Sequence, residues 1–216
     1  MLNGIEMPNI KFKNNEERRI ENFRDSEDAI CLYKDIEFFD EVRPCEKFVK
    51  SCESIIRTSK DYKAFEAWVF NVLGVQYSQV RPNITAEMAT IEMHHGPLFT
   101  LYDYVMVILR YFIMTGKKIT TFRVADKVLQ EHFDLCVQVV MLDVTSHEAI
   151  HNRDIFLNIK AGIGDINQFI HKYIDAFTPD QKYRIYNYIN ICKDTPSFDT
   201  GFLDIDDIAP LIALKV

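Results

Sequence analysis

The stretch VVMLDVTSHEAIHN, residues 139–152, decides the fold. Its first half is apolar and rich in β-branched residues, which predicts a buried strand over 135–144. Thr145 or Ser146 then supplies a hydroxyl that can cap a following helix, which we expect to run to about residue 160. The stretch therefore predicts a strand that leads directly into a helix.

Four of the six histidines form two close pairs, and one pair lies on this helix. His147 and His151 are four residues apart, so their imidazoles share one helix face and can reach the same metal ion. The other pair is His94-His95, at the end of a short segment, residues 86–94, that we predict to be a second strand. A third neutral imidazole from this pair would complete a good site for zinc, manganese or nickel.

The rest of the chain favours helices. The predicted helices span 14–29, 45–73 (one long helix or two in sequence), 98–114, 121–133, 165–177 and 178–193. Residues 74–83 are predicted to be a connector, and Gly162 and Gly164 to break the helical run. The predicted fold class is α+β, mostly α-helical, with a small hairpin near the middle of the chain.

Composition limits the functional classes. The chain has 216 residues, of which 48% are hydrophobic, enough for a sizeable core. Its formal net charge is -7, which argues against nonspecific DNA binding; the nearest basic segments are residues 11–19 and 117–127. Five scattered cysteines without a CxxC pair favour reduced thiols. We expect no membrane span and no secretory signal, and hence a cytoplasmic location.

One interpretation of the second histidine pair is a metallopeptidase. Residues 147–151 read HEAIH, which fits the HExxH pattern of zinc metallopeptidases, with Glu148 as general base. Arg153 stands where that pattern expects an apolar residue, and the His94-His95 pair is left without a role. His171 is available as a third ligand, but its position off the apolar face of its helix favours a solvated surface residue.

A second interpretation uses both pairs. EMHHGP at residues 92–97 resembles the first motif of the HNH, or ββα-metal, nucleases: an acidic residue, one spacer, two histidines and a nearby proline. SHEAIHN at residues 146–152, after a short apolar strand, resembles their last motif. The 52 positions from His95 to His147 exceed the usual loop, so a helical insertion over 99–133 is expected.

The resemblance to HNH nucleases implies a role for each residue. His94, His147 and His151 would bind a divalent metal ion (Zn, Mg, Mn or Ni), and His95 would be the general base that activates water. Gln138 occupies the slot of the family's base-positioning asparagine. We expect the turn at Gly96-Pro97 to re-aim His95 toward the metal.

The resemblance implies a DNA endonuclease encoded by a phage. It covers a unit at 86–160, flanked by helical regions at 1–85 and 161–216. Two alternatives stay open: a non-enzymatic virion or complex component that retains an HNH-like metal fold, and the HExxH metallopeptidase. The expected partners are DNA and proteins of a phage assembly, not a membrane, and the expected location is the host cytoplasm or the virion.

Overall fold

The computed structural model describes residues 33–194 except 153, 156, 159 and 160, and leaves aside the side chains of residues 191–194. The predicted helix at 14–29 and the last part of the predicted helical region 161–216, after residue 194, lie outside the described residues.

Helices dominate the described part of the chain. They are α1 (Val42–Thr58), α2 (Lys60–Ala67), α3 (Leu101–Met114), α4 (Thr121–Phe133), α5 (Val144–His151), α6 (Ile166–Tyr173) and α7 (Pro179–Asp194). Short helical turns lie at Ile36–Phe39, Trp68–Val72 and Ile174–Ala176. Among the described residues, no helix combines the length and apolar composition needed to cross a bilayer. The predicted fold class, α+β and mostly α, is confirmed.

The described sheet has two antiparallel strands, β1 (Ile91–His95) and β2 (Val139–Asp143). In their register Glu92 pairs with Leu142 and His94 with Val140. Helices α3 and α4 lie between the strands in sequence, which confirms a helical insertion within the hairpin. Helix α5 begins directly after β2 and contacts both strands, so the three elements form a ββα unit.

The hydrophobic core lies on one side of this hairpin. Helices α1, α3 and α4 pack against one another there. Helix α3 is apolar and starts with a capping box, in which the Thr100 hydroxyl accepts from the Asp103 backbone and the Asp103 carboxylate accepts from the Thr100 N–H. Side chains on the other face of β2, Val140 and Leu142, form a smaller apolar cluster with Leu157. Strand β2 therefore is buried on both faces, with different neighbours on each, whereas in β1 only His94 and His95 are buried.

Two buried carboxylates tie the C-terminal helices to this core. Glu131 of α4 is fully buried and accepts hydrogen bonds from the Lys172 ammonium (2.8 Å) and the Tyr173 hydroxyl (2.6 Å) of α6. Asp103 of α3 is paired with Arg184 of α7. Burial alone would raise the pKa of each carboxyl, but these cationic and hydroxyl donors outweigh burial and lower it.

Several predicted boundaries needed correction. The helix after β2 ends at His151, not near residue 160, and its N-cap is Asp143, not Thr145 or Ser146. Asp143 ends the strand and accepts from the Ser146 backbone N–H at 3.1 Å, so one residue closes β2 and opens α5. The predicted 45–73 segment is two α-helices in sequence, followed by a π-helical turn.

Candidate metal centre

Strand alternation sorts the predicted site residues onto two faces of the hairpin. Glu92 and His94 are two residues apart on β1, so both point toward α5. His95 points to the opposite face, toward the main core. Helix α5 then supplies His147 and His151 from one face, one turn apart.

His94, His147 and His151 come together in space as the sequence predicts. One ring nitrogen of each lies within 4.8 Å of the corresponding nitrogens of the other two. The Nε2 atoms of His147 and His151 are 3.0 Å apart. In a tetrahedral zinc site with Zn–N of about 2.1 Å, ligand nitrogens are about 3.4 Å apart. The cluster therefore needs side-chain shifts on the order of 1 Å to close on an ion.

Glu92 orients one of these rings. Its carboxylate lies 2.6 Å from His147 Nδ1, and since a carboxylate only accepts, Nδ1 carries the proton and donates it. In a neutral ring this leaves the Nε2 lone pair of His147 facing the cluster. A carboxylate behind a histidine ligand is the usual outer partner at metal sites, because it fixes the tautomer and raises the basicity of the ring.

His94 is held in the protonation state that binds metals. Burial, followed by the neighbouring His147 and His151 rings and the Arg57 guanidinium, lowers its pKa to about 4. The imidazole is therefore neutral at pH 7, with a free lone pair. The Gly96 backbone lies close to this ring, because a Cβ at Gly96 would be only 3.0 Å from His94 Nε2.

The donor set fits a borderline divalent cation. Three imidazole nitrogens suit zinc, nickel or copper, whereas magnesium and calcium prefer oxygen ligands. Burial runs from His94 (buried) through His147 (half-buried) to His151 (exposed), so the cluster opens to solvent on the α5 side.

His95 is not part of this cluster. It is 4% exposed, its ring stacks on Tyr62 at a centroid distance of 6.0 Å, and its Nε2 lies 3.0 Å from His132 Nε2. His132 Nδ1 donates to the Val128 carbonyl at 2.7 Å, so His132 Nε2 accepts and His95 Nε2 donates. Burial lowers the pKa of His95 well below its usual range. The turn at Gly96-Pro97 does not re-aim the ring, and the geometry offers no support for His95 as general base.

Gln138 shares the face of His94, opposite to that of His95. Its side chain is fully buried beneath Gly162, where an added Cβ would lie 2.2 Å from the Gln138 amide. Because His95 points to the opposite face, strand alternation does not place this amide beside the His95 ring. Of the other residues weighed from the sequence, Glu148 is exposed on α5 and His171 is exposed on α6, in a different part of the fold from the cluster.

Sequence reasoning missed three residues that shape this region. It assigned no separate role to the Glu92 carboxylate, although the acid of the first motif was noted. It did not single out His132, because a lone histidine in an amphipathic helix carries no signal. It also passed over Arg57, whose charge acts on His94 from the end of α1.

The fold and the cluster define a helical protein with a ββα unit and a candidate three-histidine metal centre. A family model for bacteriophage G278-like virion proteins matches residues 3–207. The match spans most of the chain, and the chain belongs to this family. Comparisons with curated proteins and with solved structures found no match.

Proposed function

We propose that this protein is a non-enzymatic component of the phage particle, in which His94, His147 and His151 bind a divalent metal ion that braces the ββα unit. The observation that carries the proposal is the separation of the two adjacent histidines. His94 joins the cluster, whereas His95 is buried on the other face. The ligands of an HNH-like unit are thus retained without a base beside them.

A bound cation would join elements that are otherwise weakly connected. Helix α5 has only eight residues and few buried side chains, so its own packing stabilises it little. Ligands from β1 and from the middle and the C-terminal end of α5 would be held at one point. Metal binding that is confined to the folded state contributes directly to folding free energy.

Family membership supports the assembly role. The family description places such proteins in the virion, where partners are other particle components. A nuclease would need a group that can take a proton from water at the metal, and the histidine predicted for that task points into the core.

The test combines metal analysis, thermal unfolding and a cleavage assay on the full-length protein. We expect about one equivalent of Zn²⁺ to bind, and saturation at 100 times Kd to stabilise the fold by about 2.7 kcal/mol. His147→Ala should abolish both effects, and the matched control His171→Ala, on exposed α6, should keep them. Plasmid DNA should stay intact with Zn²⁺, Mg²⁺, Mn²⁺ or Ni²⁺.

Three results would overturn the proposal. Cleavage of plasmid DNA that His147→Ala abolishes would establish the nuclease instead. If the protein binds no metal and unfolds at the same temperature with metal and with chelator, a structural cation is ruled out. Peptidase activity lost in Glu148→Gln would favour the HExxH interpretation.

A further inference from the structure

Helix α1 carries a stripe of cations along its exposed face. Arg43, Lys47, Lys50 and Arg57 follow a spacing of four, three and seven residues, which keeps them within one face of an α-helix. All four side chains are exposed. At a rise of 1.5 Å per residue the stripe is about 21 Å long. We call these four residues the α1 stripe.

No ion pair or hydrogen bond to another described residue accounts for the cations of the α1 stripe. None of its four cationic groups makes a hydrogen bond or an ion pair with another described residue. Some basic residues elsewhere in the described fold are paired, such as Lys127 and Lys172 with Glu131 and Arg184 with Asp103. The α1 stripe differs from these cations because it places four charges without an ion pair to a described residue on one helix face, in a chain whose net charge is -7.

Two carboxylates border the α1 stripe and leave it net positive. Glu46 and Glu53 lie along one edge of the same helix. Glu53 is half-buried, and burial raises the pKa of its carboxyl despite the nearby charges of Arg57 and Lys50. The opposite edge carries no acid between Arg43 and Ser54. At the Arg57 end the Glu66 carboxylate of α2 also acts on the Arg57 guanidinium, so four cations face three carboxylates in all.

The surface beside the α1 stripe is concave. Two grooves of about 390 and 550 Å³ adjoin it and share Arg43, Lys47 and Ser51. Lys34 also lines the larger groove and adds a fifth cation beside the stripe. At its other end the stripe reaches Arg57, near His94 of the ββα unit. A long ligand with regularly spaced negative charges would therefore meet cations from Arg43 to Arg57, along the length of the α1 stripe.

We propose that the α1 stripe binds the phosphate backbone of duplex nucleic acid without reading its sequence. A duplex carries one negative charge per about 1.7 Å of axis, so a stripe about 21 Å long faces an unbroken row of phosphates. Lysine, arginine and serine side chains are the usual partners of phosphate oxygens. The surface lies outside the ββα unit and does not depend on a bound metal.

The test measures the salt dependence of binding by the full-length protein to a fluorescein-labelled, mixed-sequence 20-base-pair DNA duplex. Four phosphate contacts predict a slope of log K against log salt of about -3.6, which is about a 150-fold loss of affinity between 50 and 200 mM NaCl. In Lys47→Gln/Lys50→Gln the slope should become shallower by about 1.8. The control Lys63→Gln/Lys182→Gln, with the same change of charge on α2 and α7, should keep the original slope. Measurement in EDTA, and with His147→Ala, separates this result from the metal centre, because binding should persist in both.

Each other outcome decides against the proposal. If the duplex does not bind, or if both double variants lose the same slope, the α1 stripe is not a phosphate-binding surface. If polyglutamate of matched charge binds as tightly as the duplex, an acidic protein surface is the better partner. Circular dichroism of both double variants confirms that the helices are intact before the slopes are compared.

Discussion

Lowering the pH from 7 to 5 should destabilise the metal-free protein through His132, whose ring is fully buried between α4 and β1. Burial lowers its pKa to about 4, although the Val128 carbonyl and the Glu131 charge partly oppose that shift. In the unfolded chain an imidazole titrates near pH 6.5. The unfolded state therefore takes up a proton between pH 6.5 and 4 that the folded state does not.

The sign and size of the effect follow from linkage. A pKa lowered by folding contributes stability that is complete above about pH 6.5 and is lost as the pH falls toward 4. The full difference corresponds to about 3 kcal/mol for His132, and about 2 kcal/mol of it is lost between pH 7 and pH 5. A loss of this size is a large part of the stability of an ordinary domain.

Comparison of variants isolates this contribution from other titrating groups. His132→Gln keeps a hydrogen-bonding group facing His95 but does not titrate, so its loss of stability from pH 7 to pH 5 should be smaller than that of the wild type by about 2 kcal/mol. The matched control His171→Gln removes an exposed histidine and should behave like the wild type. Urea unfolding in EDTA, followed by the fluorescence of the buried Trp68, measures all three proteins. An equal loss in His132→Gln and the wild type would refute the reasoning.

Two further substitutions test the ββα unit. Glu92→Gln weakens the partner of His147 Nδ1, so Zn²⁺ affinity measured by calorimetry should fall 10- to 100-fold with little change in metal-free stability; unchanged affinity would show that Glu92 does not orient the ring. Asp143→Asn removes the charge that caps α5 and pairs with Arg81, which is 41% exposed, so urea unfolding should show a loss of about 1–2 kcal/mol; a variant as stable as the wild type would contradict the capping role.

Much of the helical framework could be predicted from periodicity and capping. The structure has α4 at Thr121–Phe133, as predicted, and α7 begins with the predicted capping box, in which the Thr178 hydroxyl accepts from the Gln181 backbone N–H at 3.1 Å. Apolar spacing also predicted α3 within a few residues. These features depend on neighbours within a few residues, which is why local patterns suffice.

Features that depend on contacts between residues distant in sequence were harder to predict from the sequence. Gly162 and Gly164 read as a helix break, but the segment between them pairs with β2, where the Ile163 N–H donates to the Val139 carbonyl at 2.7 Å. Gly164 has φ +111°, and a Cβ there would lie 2.3 Å from the Val137 carbonyl oxygen. The start of helix α5 is predicted too late because the hydroxyls of Thr145 and Ser146 look adequate as caps, whereas the actual N-cap, Asp143, is held by Arg81, which is 62 positions away in sequence.

The paired histidines show how a strand divides adjacent residues between two tasks. Successive side chains on β1 point to opposite faces, and both faces of this strand are covered. His94 contacts α5, which carries two further imidazoles, whereas His95 contacts α4, where His132 Nε2 accepts a hydrogen bond from His95 Nε2–H. For His95 to act at the metal, the pairing of β1 would have to slip by one residue, which would bury Glu92 in the main core and remove His94 from the cluster. A base and a ligand on adjacent residues therefore require a bend at the end of the strand, and here β1 stays paired through His95. The same register that assembles the three-histidine cluster excludes His95 from it, and this argues for a cation that holds the fold together over one that activates water.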